Sequence, residues 1–149
     1  FTFDFIGYYL YQYALGKNNE IFEIDNSIYS IEAYAFAGAE NLKSIVFNEG
    51  TSYIFEYAFA NCVNLESVTF RKYINGRIGE SAFENCSNLT FIKFPAVTSI
   101  GDNAFGGCSS LTTVDFPIVT SIGAYAFNNG NREILFAIFS HCIIVSFTI

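Results

Sequence analysis

The side chains with the most chemistry in this sequence are four cysteines and a single histidine: Cys62, Cys86, Cys108, Cys142 and His141. Grouped thiolates bind zinc, and a cysteine or serine oriented by a histidine acts as a nucleophile. A zinc site needs four grouped ligands, but no two cysteines form a C-x-x-C pair and the histidine lies far from three of them. No hydrolase-type motif surrounds the histidine. We therefore predict no metal site and no nucleophile.

Phosphate-binding and acid–base motifs are also missing from the sequence. Gly79, Gly101 and Gly123 recur at a regular spacing as turn residues, not as a G-x-G phosphate loop. The acidic residues are scattered, and none recurs as a pair. The sequence therefore predicts a protein that is not an enzyme and has no cofactor.

Composition narrows the possible partners. The formal charge is −7, from seven Lys and Arg against fourteen Asp and Glu. An acidic chain lacks the basic surface that nucleic acids and anionic membranes require, so neither is an expected partner. Hydrophobic residues make up 52% of the 149 residues, which excludes disorder and predicts one domain with a sizeable core.

A repeat dominates the chain. The pair Ala-Phe occurs at 35–36, 58–59, 82–83, 104–105 and 126–127, with spacings of 23, 24, 22 and 22 residues. An isoleucine stands four residues before each Ala, and a leucine, an isoleucine or valine, and a phenylalanine stand seven, ten and twelve residues after the first four. Because one such unit, here called a rung, cannot bury its own apolar face, the rungs must stack.

The spacing of the apolar residues predicts the course of each rung. Alternating apolar positions in L-x-x-(I/V)-x-F predict a short strand, and the three- and four-residue spacing in A-F-x-x-C-x-x-L predicts a helical turn. Between them lies an extended V-T-S-I segment, as in 94–101 and 116–123. We predict an α/β repeat solenoid, with short parallel strands on a concave face and short helical turns or extended segments on the convex side.

The repeat divides the chain into three parts. Residues 28–130 hold four to five repeats of 22–24 residues, and residues 1–27 fit a degenerate N-terminal capping repeat. Residues 131–149 form an apolar C-terminal segment. Its last sixteen residues fall short of the roughly 20 that span a bilayer, so we favour burial; a membrane contact is expected only if a longer chain continues the segment as a spanning helix.

The repeat predicts a structural role for three of the cysteines. Cys62, Cys86 and Cys108 occupy one position in successive rungs, where neighbouring strands would hold them about 5 Å apart. A thiolate cluster or a disulfide pair is one interpretation. However, Ala39 and Gly130 occupy the same position, which indicates a need for small side chains. We favour free, buried cysteines that fill the core.

The repeat resembles the BspA-like class of leucine-rich repeat, whose pattern is I-G-x-x-A-F-x-x-C-x-x-L-x-x-(I/V)-x-F-P-x-x-V-T-x. Residues 100–122, IGDNAFGGCSSLTTVDFPIVTSI, match it almost letter for letter. The resemblance implies a surface or secreted protein that adheres to or binds host proteins, without cofactor or catalytic residues. The chain departs from the pattern at Glu32 and Phe55, where glycine is expected, and has no counterpart of the asparagine ladder of common leucine-rich repeats.

Two candidate binding sites lie at variable positions. On the concave face, outward residues at the same position of successive rungs form two columns. The first consists of Ser44, Ser67, Phe91 and Thr113, and the second of Val46, Thr69, Lys93 and Asp115. Phe91 is the residue type that dominates interfaces, although isolated exposed apolar residues are also normal. Lys93 and Asp115 are expected to pair across adjacent rungs. The second candidate is the longer linker between Phe70 and Ile78, which carries Arg71, Lys72, Tyr73 and Arg77 around an Asn-Gly turn signal.

We therefore expect a non-catalytic protein-binding module, at the cell surface or secreted by family resemblance, whose partner is a host or extracellular-matrix protein. Two alternatives remain: an intracellular scaffold with the same fold, and a gene fragment without independent function. The sequons at Asn85 and Asn88 favour secretion in a eukaryote.

Overall fold

A computed structural model describes residues 20–47, 49–71, 76–128, 130 and 146–147. Within them the chain forms a β-solenoid of about four turns. Its strands, in chain order, are β1 (Ile21–Ile24), β2 (Ser30–Ile31), β3 (Ser44–Phe47), β4 (Tyr53–Ile54), β5 (Ser67–Phe70), β6 (Gly76–Ile78), β7 (Phe91–Lys93), β8 (Val97–Ile100), β9 (Thr113–Asp115), β10 (Ser121–Ile122) and β11 (Ser146–Phe147).

The strands form two sheets. The first sheet has the order β1-β3-β5-β7-β9, and each strand pairs in parallel with its counterpart in the next rung. Residues at the same repeat position face each other across strands, as Ile45 faces Val68 and Val68 faces Ile92. This confirms the predicted parallel strands. Because side chains alternate along a strand, these three point into the core and their neighbours point outward.

The second sheet contains the V-T-S-I segments that the sequence predicted as extended. Its order is β11-β10-β8-β6-β4-β2, again with parallel pairing. The isoleucine that precedes each Ala-Phe pair faces the core, so Ile54, Ile78 and Ile100 are in register and buried. The sequence did not predict that these segments bond to one another as a sheet.

The predicted helical turn is wrong for the described residues, which form no helix. Each A-F-x-x-C segment is a run of turns in which one residue before the Ala-Phe pair has positive φ, for example Tyr57 at 55° and Ser81 at 51°. Alternate N–H groups also bond to the next rung: Phe59 N–H donates to the Ala82 carbonyl at 2.7 Å. Left-handed residues and inter-rung bonds both remove the i to i−4 bonds that a helix needs, so the α/β class gives way to an all-β solenoid.

Two phenylalanine ladders fill the interior. The rings of Phe36, Phe59, Phe83, Phe105 and Phe127 stack nearly parallel, with centroids 4.9 to 5.3 Å apart. The second ladder consists of Phe47, Phe70, Phe94 and Phe116 and crosses the first at about 6 Å. Such contacts add about 0.5–1.5 kcal/mol per pair to the burial of apolar area. Both sheets are therefore built on one shared core.

The glycine column at the end of the second sheet allows the rungs to approach closely. A Cβ on Gly101 would lie 2.6 Å from the Glu80 nitrogen and 2.7 Å from the Gly79 carbonyl carbon. Both contacts are with backbone, which cannot move aside as a flexible side chain can. These glycines are therefore required by inter-rung packing and not by turn conformation.

The two ends of the chain are described only in part. β1 adds a strand to the first sheet before residue 28. Most of the C-terminal segment, with His141 and Cys142, lies outside the described residues, so the three predicted domain boundaries stay predictions. Among the described residues, no helix is long and apolar enough to cross a membrane.

Candidate functional site

The three repeated cysteines lie inside the solenoid. Cys62, Cys86 and Cys108 are free and completely buried, as the repeat predicted. Each thiol donates a hydrogen bond to the carbonyl of a phenylalanine in the preceding rung; Cys86 Sγ lies 3.2 Å from the Phe59 oxygen. Each thiol therefore fills space in the core and also donates a weak hydrogen bond, which Ala39 at the equivalent position of the first rung cannot do.

Burial also makes these thiols poor nucleophiles. Loss of solvent raises the pKa of Cys86 well above its ordinary value, and the neighbouring thiols of Cys108 and Cys62 raise it further. The thiolate is the reactive and metal-binding form, so a raised pKa works against both roles. Among the described residues, no group of three or more His, Cys, Asp and Glu side chains is placed to hold a metal ion.

The outward side of the first sheet, here called the first face, carries the first group of predicted site residues. Phe91 is 42% exposed, beside Ser67 on one neighbouring strand and Thr113 on the other. Thr69 and Lys93 are exposed, whereas Val46 and Asp115 are half-buried. The structure thus places Phe91 as an aromatic side chain in an outward column that begins with Ile21, which is 64% exposed, and continues through Ser44 and Ser67.

Ion pairs neutralise the cations on or beside the first face. Lys93 Nζ lies 3.3 Å from Asp115 Oδ2, which confirms the predicted pairing. The sequence did not predict two further pairs: Arg71 with Glu23 at 2.9 Å and Lys43 with Glu20 at 2.8 Å. The bond to Glu20 raises the pKa of Lys43. Three of the four basic residues in the described ranges therefore already have an acidic partner.

The linker predicted as a second candidate site is not a single loop. Arg71 follows β5 and reaches across the first face to Glu23, whereas Arg77 lies within β6 of the second sheet. Gly76 of the Asn-Gly turn signal belongs to β6, at an irregularity in its pairing with β8. Lys72 and Tyr73 lie outside the described residues.

Sequence reasoning missed a group of aromatic residues at the surface of the first two rungs, here called the aromatic patch: the exposed Tyr29, Tyr34, Tyr53 and Phe55, and the half-buried Tyr57. Tyr34 is 55% exposed and Phe55 is 41% exposed. Ring centroids lie 5.6 Å apart for Tyr29 and Tyr53, 6.4 Å for Tyr53 and Phe55, and 5.0 Å for Tyr34 and Tyr57. The residue that could have indicated this group in the sequence is Phe55, which stands where the repeat pattern has glycine.

Exposed asparagines also align between rungs. Asn85 Nδ2 donates to Asn61 Oδ1 at 3.1 Å, and Asn88 Nδ2 lies 3.5 Å from Asn64 Oδ1. These two pairs join exposed side chains on the surface of the solenoid. Both sequon asparagines take part in them.

Comparison with known protein families gives one match that covers most of the chain. The profile described as "BspA type Leucine rich repeat region" matches residues 4–133 in six copies. The match extends beyond the described rungs in both directions. No curated protein is similar enough to the chain to count as a match.

Solved structures of bacterial repeat proteins share the fold. A leucine-rich repeat protein of T. pallidum is 24% identical with a TM-score of 0.69, over 79% of this chain and 57% of its own. A leucine-rich repeat protein from Bacteroides ovatus is 29% identical with a TM-score of 0.56, over 73% and 34%. A leucine rich cell surface protein from Faecalibacterium prausnitzii is 23% identical with a TM-score of 0.58, over 76% and 46%. The chain thus spans less than two thirds of the length of each protein.

Proposed function

Because the chain belongs to the BspA-type leucine-rich repeat family, we propose that it is a non-catalytic protein-binding module that uses the first face. The observation that carries this proposal is the contrast between the two sides of the first sheet. Inward residues are repeated and fully buried, as Ile45, Val68 and Ile92 are, whereas outward residues differ from rung to rung. A stacked sheet with variable outward positions is the surface that solenoids use for extended binding.

Phe91 is the central residue of the proposed site. Aromatic residues that become buried at the centre of an interface supply much of its affinity. Phe91 has small neighbours in Ser67 and Thr113, which leave its ring 42% exposed to a partner. Thr69, Lys93 and Asp115 would form the polar surroundings, and Val46 would add apolar area. Since the cations here are paired internally, the partner should bind mainly through apolar contacts and hydrogen bonds.

We further propose that the module is secreted or displayed at the cell surface, where its partner is a host or extracellular-matrix protein. Support comes from one similar structure, which is described as a cell surface protein. Because the chain covers 46% of that protein, the proposal is best tested on the full-length gene product. Antibody labelling of intact and permeabilised cells should give equal signals; labelling only after permeabilisation would favour the intracellular scaffold instead.

The binding proposal is tested with a variant that removes the distinctive residues of the first face. Phe91→Thr with Lys93→Thr copies Thr113 and Thr69 from the neighbouring rungs, so the fold should accept both changes. Purified extracellular-matrix proteins are passed over the immobilised parent and variant, and binding is followed by surface plasmon resonance. A partner that binds the parent should lose most of its affinity for the variant.

The matched control is Ile118→Ala, which shortens an apolar residue that is 45% exposed in the turn after β9. This change should leave binding unaltered. The inserted segment is tested separately by reversing the charges of Arg71, Lys72 and Arg77. If these reversals weaken binding in a salt-dependent way and the first-face variant does not, the first face is not the site.

A further inference from the structure

The aromatic patch has no role in the core of the solenoid. Tyr53 and Phe55 alternate along the second rung with the buried Ile54, so both point outward. In later rungs the same columns hold Ser99 and Ser121 in place of Tyr53, and Gly101 and Gly123 in place of Phe55. These later rungs form the same sheet without aromatic residues. Packing of the core therefore does not require the patch.

On one side of the aromatic patch the next rung carries much smaller side chains, which creates a step in the surface. The column position of Phe55 is occupied by Gly79 in the third rung, and that of Tyr57 by Ser81. The neighbouring rung thus presents no large side chain beside these two rings. In the other direction Tyr57 stacks on Tyr34 with an angle of 1° between the planes. The step therefore lies mainly beside Phe55, which is 41% exposed, because Ser81 itself is buried.

Carboxylates surround this step. Glu56 precedes Tyr57 in the chain, and its backbone oxygen accepts a hydrogen bond from Tyr34 N–H at 3.3 Å. The Glu80 backbone oxygen accepts from Tyr57 N–H at 3.0 Å, so both acidic residues adjoin the stacked tyrosines. Both are exposed, and neither forms an ion pair with a basic side chain of the described residues. Unlike the paired acidic residues of the first face, these two have no basic partner among the residues that the structure describes.

We propose that the aromatic patch, with Glu56 and Glu80, binds a cationic polypeptide segment of a partner through its Lys or Arg side chains. A cation over the face of an aromatic ring is attracted by the negative potential of that face, also at an exposed site. Adjacent carboxylates add charge-assisted hydrogen bonds to the same group. Rings alone would suit any apolar ligand and carboxylates alone any cation, but the two together select an organic cation. The surface is separate from the first face, so either proposal can fail without the other.

Arg77 supplies an internal check on the charge of the ligand. It lies opposite Tyr53 in the adjacent strand and makes no ion pair with the described residues. A cationic segment would be repelled by this side chain, whereas an acidic segment would be attracted to it. Replacing Arg77 with glutamine should therefore tighten the binding of a cationic peptide. Weaker binding after this change would overturn the proposal.

The experiment uses fluorescence anisotropy with three labelled peptides of about eight residues, rich in arginine, glutamate or serine, at roughly 20 and 150 mM salt to vary screening. The arginine-rich peptide alone should bind the full chain. The variant Phe55→Gly with Tyr57→Ser imports the residues of the third rung, so its fold is expected to persist, as far-UV circular dichroism can check. It should weaken binding about tenfold, from the loss of two ring contacts.

A second variant, Glu56→Gln with Glu80→Gln, should also weaken binding about tenfold and flatten its salt dependence. Its matched control, Glu40→Gln with Glu66→Gln, removes the same charge elsewhere and should change affinity less than twofold. Equal losses in both charge variants would mean attraction by net charge alone and would overturn the proposal. The proposal would also be overturned if Phe55→Gly with Tyr57→Ser bound the arginine-rich peptide as tightly as the parent does. The same holds if the parent bound the serine-rich peptide as tightly as the arginine-rich one.

Discussion

The first face and the aromatic patch are built on the same core but differ in how their charges are arranged. On the first face Lys93 and Arg71 each have an acidic partner within 3.3 Å. Around the aromatic patch Glu56 and Glu80 have no basic partner among the described residues. One surface is close to neutral with a single aromatic residue; the other is acidic with five.

This difference shows where functional information lies in a repeat protein. The columns that face the core are nearly identical in every rung, because each must fill the same space between the sheets. Outward columns are free of that constraint, and here they diverge into two surfaces of opposite character. Resemblance among rungs therefore predicts the fold, and departures from it indicate binding surfaces.

The largest expected effect tests whether both surfaces depend on the shared core. Phe105 is completely buried and its ring contacts Phe83, Phe94, Phe116 and Phe127. Phe105→Ala should lower the free energy of unfolding by about 3–5 kcal/mol, from lost burial and the cavity left behind. Urea denaturation measures it, with Ile118→Ala as the surface control. A loss below about 1 kcal/mol would mean that the ring is not in the core.

The next effect separates binding from folding on the first face. Phe91→Ala should weaken the binding of a partner to the first face by about 2 kcal/mol or more, because an aromatic side chain at the interface loses its contacts. Its free energy of unfolding should change by less than about 0.5 kcal/mol, since surface substitutions rarely do more. Calorimetric titration and urea denaturation of the same preparation give both values. The patch variant Phe55→Gly with Tyr57→Ser should leave this affinity intact; a matching loss would mean that the two surfaces are not independent.

Most of the fold could be predicted from periodicity. The L-x-x-(I/V)-x-F spacing predicted the first sheet, and the repeated position of Cys62, Cys86 and Cys108 predicted buried, free thiols. The helical turn was wrong because spacing of three and four residues does not distinguish a helix from consecutive turns. What decides between them is the positive φ at residues such as Tyr57 and Asn85 and the hydrogen bonds to the next rung, which a single-rung pattern does not contain.

The candidate sites were less predictable from sequence. Phe91 and the pair of Lys93 with Asp115 could be found because they share strand positions in adjacent rungs. The pair of Arg71 with Glu23 spans 48 residues of sequence and depends on how the Arg71 side chain crosses two rungs. The aromatic patch combines positions from two different columns of the repeat. Only the three-dimensional stacking brings such residues together.

A smaller effect tests whether the core between the two surfaces is closed to solvent. The ordinary pKa of a thiol is about 8.5, so the unfolded Cys86 ionises as the pH rises above that value. Because folding raises the pKa of Cys86, the native thiol keeps its proton there. Stability from this group is complete below that pH and is lost as pH rises above it, by at most about 1.4 kcal/mol per pH unit. Urea denaturation from pH 7 to 10 should show a shallower decline in Cys86→Ala, whose side chain matches Ala39.

Thiol labelling gives an independent reading of the same closed core. Cys62, Cys86 and Cys108 should remain largely unlabelled in the native protein and react fully after unfolding. Rapid labelling of all three in native protein, or equal pH slopes for the parent and Cys86→Ala, would contradict a sealed interior.

The smallest expected effect concerns the feature that most separates the two surfaces, namely the pairing of charges on the first face. A double-mutant cycle with Lys93→Ala and Asp115→Ala should give a coupling energy of about 0.2–1 kcal/mol, because both side chains are roughly half exposed and screened by solvent. The coupling should shrink as salt is raised. Glu56 with Lys93 is the matched cycle for a charge in the turns after β4 and a charge in the first sheet, and it should give no coupling. If Lys93 and Asp115 also show none, the cations of the first face are free to engage a partner. The first face would then bind through charge as the aromatic patch is proposed to do, and the salt dependence of binding would no longer distinguish the two surfaces.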